Sequence, residues 1–109
     1  MILKRTYKLD VVAGGSPLII RTSRNDSSST LVFSLFAREG VLDIPSGATA
    51  AIRGKASGSA SFSFVNGIPT IQLNLTKAMT GKAGMLPFEL ALTAGGHTFV
   101  TDTFYLDVR

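Results

Sequence analysis

The dipeptide Asn66-Gly67, set between two alternating runs, constrains this chain more than any other feature. Both central residues of a type I′ turn need positive φ, which Asn and Gly tolerate best, and this turn matches the twist of the strands it joins. A two-residue loop there pairs Val65 with Ile68, Phe64 with Pro69, Phe62 with Ile71 and Ala60 with Leu73. Phe62, Phe64, Ile71 and Leu73 then share one face, while Ser61, Ser63, Thr70 and Gln72 share the other. Turn chemistry and burial pattern agree on a single register. Pro69 cannot donate to a ladder, which predicts that its strand begins at a sheet edge.

The same period of two recurs along the whole chain, and no helical period persists. Strands are predicted near Ile2–Val12, Leu18–Thr22, Thr30–Ala37, Ala48–Lys55, Ala60–Val65, Ile68–Leu75, Met85–Thr93 and Thr98–Val108. Breakers separate them at Ala13–Pro17, Asn25–Ser29, Glu39-Gly40, Pro45–Gly47, Asn66-Gly67, Gly81–Gly84 and Ala94–Gly96. Seven or eight short strands with a turn about every ten residues predict an all-β sandwich or barrel. In the last strand Asp102 falls on the apolar side, which predicts a bulge there, while Phe99 and Tyr105 fall together on the polar side. Thr76–Met79 is too short for an independent helix. It predicts one helical turn at a corner, with Met79 tucked under the end of the sandwich.

At 109 residues the chain makes one domain, residues 1–109, able to bury about two-thirds of its unfolded surface without staples. Only 17% of residues are charged and 45% are hydrophobic, so Ser, Thr, Gly, Asn and Gln carry much of the surface. That suits a subunit packed against neighbours. The net charge of +4 is spread out, with no cationic run longer than Lys4-Arg5 and no Trp. Nucleic-acid binding calls for clustered cations interleaved with stacking aromatics, so none is expected. The chain has no Cys, which fits synthesis in the cytoplasm. No apolar stretch reads as a signal peptide or approaches the ~20 residues of a membrane span.

Catalytic groups are equally sparse. The one histidine, His97, follows a Gly-Gly turn and reads as an exposed turn residue. With no Cys and no Gly-x-Ser-x-Gly elbow, neither nucleophilic catalysis nor a zinc site is expected. The seven carboxylates are scattered, without the close pair a glycosidase requires. Asp26 in Asn25-Asp-Ser-Ser lacks the further acids of a calcium loop. No enzyme, cofactor or metal is expected. Zero Trp and two Tyr also disfavour a glycan platform, and a host-surface glycan-binding module ranks as the reading from another class.

Three segments, in this order, carry a family resemblance: Asp43-Ile-Pro-Ser-Gly-Ala-Thr-Ala-Ala-Ile-Arg-Gly-Lys55, the Asn66-Gly67 hairpin, and Leu75-Thr-Lys-Ala-Met-Thr-Gly-Lys-Ala-Gly84 with its strand to Thr93. The lead Ile20-Arg-Thr-Ser-Arg-Asn-Asp26 and the closing Asp102–Val108 extend it over nearly the whole chain. Together they resemble the N-terminal domain of upper baseplate proteins from phages of Gram-positive bacteria. The resemblance implies an immunoglobulin-like antiparallel β-sandwich that anchors tail-tip or fibre components to the virion, within a homo-oligomer such as a trimer. A head-fibre or capsid decoration subunit is the alternative in the same class. Members of that family often continue into stems or receptor-binding heads, whereas this chain ends after its last predicted strand. An anchoring module, a stand-alone subunit or a domain of a longer product all fit.

Six residues are candidates for the contact surface. Phe99 and Tyr105 stand off the apolar row, as interface aromatics do. Val32 and Phe36 make their strand apolar on both faces, which predicts a cover on the second side by a neighbour or by the N-terminal segment. Arg21 and Arg24 are expected to pair with Asp26 at a loop mouth, or to form a polar rim for a partner.

Overall fold

A computed structural model describes residues 3–12, 17–37 and 42–109. The predicted turns at Ala13–Pro17 and Glu39-Gly40 lie wholly or mostly outside the described residues. The elements are β1 (Leu3–Asp10), β2 (Leu18–Thr22), β3 (Ser29–Phe36), β4 (Thr49–Gly54), β5 (Ser59–Val65), β6 (Ile68–Asn74), α1 (Lys77–Thr80), β7 (Gly84–Ala94), β8 (His97–Val100) and β9 (Phe104–Val108). One sheet runs β1-β3-β6-β5 and the other β2-β9-β7-β4, with β8 also on β7. With β8 and β9 counted as one interrupted strand, the two sheets, each with one parallel edge pair, stack face to face as a β-sandwich. The inner faces meet in one core, where Phe33 of one sheet packs on Phe104 of the other at 4.9 Å between ring centroids.

The hairpin has the predicted register, from Val65↔Ile68 to Ala60↔Leu73. Asn66 and Gly67 both have positive φ, 51° and 77°, as a type I′ turn requires. Pro69 corrects one expectation: β6 is an interior strand between β3 and β5. Its ladder with β3 begins only at Thr70, so Pro69 sits before the shared ladder and its missing N–H breaks nothing there.

Two ladders differ from a purely antiparallel sandwich. β1 runs parallel to β3, and β2 parallel to β9. A parallel pair needs a crossover, and β2, lying in the opposite sheet, supplies it for β1 and β3. The N-terminal segment therefore extends the edge of β3 rather than covering its second face.

The predicted bulge is present, and it splits the last strand in two. β8 pairs with β7 down to Ala91↔Val100, and β9 resumes at Phe88↔Phe104. Thus Glu89 and Leu90 face three residues, Thr101–Thr103. The break would orphan the buried Leu90 N–H, but Thr101 Oγ1 accepts it at 3.1 Å, and Thr101 N donates to the Leu90 carbonyl at 2.8 Å.

The single helical turn is where it was expected. Thr76 is its N-cap, its side chain accepting from Met79 N at 3.3 Å. Met79 is fully buried under the sandwich end, with the Ser57-Gly58 loop against it and Thr76 Oγ1 donating to the Ser57 carbonyl at 3.0 Å.

Candidate interaction surface

Backbone hydrogen bonds define the two ends of the sandwich. Val11 N donates to the Phe36 carbonyl and Asp102 N to the Asp10 carbonyl. The ends of β1 and β3 therefore stand level with the bulge, and β8 and the β7–β8 turn run on beyond it. At the other end, Leu75 N donates to the Ser29 carbonyl, Asn25 N to Thr80 and Arg24 N to Arg109.

The bulge-side end gathers most of the exposed large apolar side chains. Register places Val65 opposite Ile68 on the outer face of the first sheet. Phe36 follows Ser34, the partner of Thr70, on that same face. Phe36, Ile68, Ser34, Leu35 and Lys8 line a cavity of about 370 Å³. Phe64 stands on the other side of the hairpin tip, edge-on to Phe62 at 5.2 Å. Phe99, on β8, occupies the position opposite Leu92. Phe36, Phe64, Val65, Ile68 and Phe99 are each 37–48% exposed, although the remainder of the core closes nearly completely. Apolar exposure gathered at one end, with Phe36 and Ile68 lining one hollow, is the kind that marks contact surfaces on folded domains.

The six sequence candidates do not form one site. Phe99 and Phe36 come to this end together. Tyr105 does not: the extra residue at the bulge reverses parity, so Phe99 shares the sheet face of Leu92 while Tyr105 lies on the outer face, between Ile19 and Pro87. The expectation that the two aromatics share a face is therefore corrected. Val32 is half-buried on the outer face of the first sheet, between Thr6 and Gln72. Phe64, Val65 and Ile68 were missed as surface residues. The signal was in the register itself, which set Val65 and Ile68 on the face of Ser61, Ser63, Thr70 and Gln72.

Arg21 and Arg24 are exposed, near the opposite end, and neither pairs with Asp26. The carboxylate instead accepts from Ser29 Oγ (2.6 Å), Ser28 N (2.9 Å), Ser29 N (3.1 Å) and Thr22 Oγ1 (3.3 Å). Burial acts to raise its pKa, but these hydrogen bonds together outweigh it and hold the group below the ordinary aspartate value. Its backbone carbonyl accepts from Thr80 Oγ1 at 2.8 Å, so the loop before β3 is locked onto α1. Asp26 organises a loop, and the expected ion pair is replaced by amide and hydroxyl donors at closer range.

His97 is exposed at the start of β8. Among the described residues no three His, Cys, Asp or Glu side chains converge as metal ligands, and no helix is long and apolar enough to cross a membrane. No protein-family model matches the chain, and no curated protein matches it.

Proposed function

We propose that this chain is a structural protein of a phage virion, an anchoring or assembling module of the tail or baseplate that works by protein–protein contact. The observation that carries the reading is the apolar end of the sandwich, where Phe36, Phe64, Val65, Ile68 and Phe99 stand exposed on strand ends and a tight turn rather than on a long loop. Apolar groups held on rigid strands present a pre-shaped contact at little ordering cost. The order of the Asp43–Lys55, Asn66-Gly67 and Leu75–Gly84 segments supports the phage assignment, and the two-layer β-sandwich is compatible with it. The subunit meets copies of itself or other virion proteins through this end, in a symmetric assembly.

Two measurements test the reading. Light scattering across a concentration series gives a multimer in solution; a strict monomer at high concentration overturns self-assembly through this end. An antibody raised against the purified chain decorates tail tips of negatively stained phage particles. Labelling of heads moves the subunit to capsid decoration, and particles without label overturn the virion assignment.

A further inference from the structure

β4 leaves β7 early. Their ladder stops at Gly54↔Phe88, while β7 begins four residues before Phe88. Gly84–Pro87 therefore pair with β9 on one side and, among the described residues, with no strand on the other. The chain after Gly54 turns away, and α1 stands across the gap. What remains is a groove of about 480 Å³, lined by Ala56, Ala78, Leu86, Pro87 and Phe88, with Lys55 and Lys82 on its border. It shares Lys55, Pro87 and Phe88 with a second hollow of about 320 Å³ that reaches Arg53, Glu89 and Thr103.

The groove has two chemical characters. Its lining is apolar apart from the two lysines, and Lys55, Lys82 and Arg53 are exposed with no ion pair among the described residues. Among the described residues that line the two hollows Glu89 is the only carboxylate, and its Oε2 already accepts from Thr103 Oγ1 at 3.4 Å. Three cations against one acid, around an apolar slot beside a vacant strand position, select a ligand that is extended, apolar on one side and negatively charged beside it.

We propose that this groove binds an extended acidic segment of a partner protein, which continues the line of β4 along Gly84–Pro87. An apolar side chain enters between Leu86 and Ala78, and flanking carboxylates meet Lys55 and Lys82. Strand addition supplies a partial main-chain component through Met85 and the Pro87 carbonyl, since Pro87 has no N–H, and the lysines supply discrimination and an association rate that falls with salt. The site lies at the α1 end of the sandwich, away from the apolar end, and does not depend on the virion reading.

The test uses the full chain, labelled with nitrogen-15, and a capped Glu-Asp-Leu-Thr-Asp-Glu peptide as probe, with Lys-Lys-Leu-Thr-Lys-Lys as its control. Amide shifts are expected to saturate with the acidic peptide and to map to Lys55–Ala56, Ala78–Lys82 and Leu86–Phe88. The pair Lys55→Glu with Lys82→Glu, both exposed and tolerant of change, is expected to weaken binding by roughly tenfold or more. Phe36→Ser with Ile68→Ser is expected to leave it unchanged, which separates this site from the apolar end. Equal shifts with the basic control, shifts confined to the Phe36–Ile68 end, no shift with the acidic peptide, or indifference to charge reversal would each overturn the proposal.

Discussion

Two polar side chains do more for this fold than their sequence context suggests. Thr101 is 2% exposed, and its hydroxyl is the acceptor that makes the bulge tolerable, because a buried amide left without a partner costs about 1–3 kcal/mol. Thr101→Val keeps the shape and removes the acceptor, so urea denaturation is expected to show a loss in that range, while Thr101→Ser stays close to the parent. Asp26 acts through charge. Its folded pKa is depressed, so its contribution is fully present above the unfolded value, about 4, and is lost as pH falls through the folded value. Stability followed by circular dichroism is expected to drop below about pH 4. In Asp26→Asn that part of the acid dependence disappears, and stability at neutral pH is lower by about 1–2 kcal/mol.

At the scale of elements, the junction of β4 and β7 is the tightest constraint. A Cβ on Gly54 falls within contact of Phe88 Cδ1, 2.8 Å from Cε1 and 3.2 Å from the Pro87 carbonyl oxygen. The ring of Phe88 lies over the glycine and is itself 1% exposed, with Phe104 stacked behind it at 6.0 Å. The glycine is thus needed for space, not for an unusual φ. Gly54→Ala is expected to destabilise by about 1–3 kcal/mol, as overpacking does. Adding Phe88→Leu should cost less than the two single losses combined, a coupling that a double-mutant cycle measures. The Asn66-Gly67 turn behaves differently. No atom lies within 4 Å of a Cβ built on Gly67, so Gly67→Ala meets only the φ penalty, about 1–2 kcal/mol.

For the whole molecule the polarity is end to end. The apolar row Phe36–Ile68–Val65 crowns one end, and the groove bordered by Lys55 and Lys82 lies at the other. Two chemically unlike ends are what the proposed anchoring role calls for. Phe36→Ser with Ile68→Ser is expected to shift the light-scattering mass toward monomer and to raise solubility, with the unfolding midpoint little changed because both side chains are over 40% exposed. An unchanged multimer in that variant would place self-association elsewhere on the surface.

Strand positions, the hairpin register, the bulge at Asp102 and the buried Met79 were legible in the chain, because turn chemistry and a period of two are local properties. Which residues the opposite layer leaves uncovered was not. Phe64 belongs by parity to the core row yet lies past the edge of its cover, and Val65 and Ile68 sit apolar on a polar face. The fate of Phe99 and Tyr105 turned on one inserted residue, whose effect on facing only the paired strand reveals. The arginines near Asp26 lost its carboxylate to serine donors that the loop brings closer. Local sequence determined the strands and their partners across a turn; burial, groove and charge environment arise from contacts between residues far apart in the chain, and only the closed sandwich decides them.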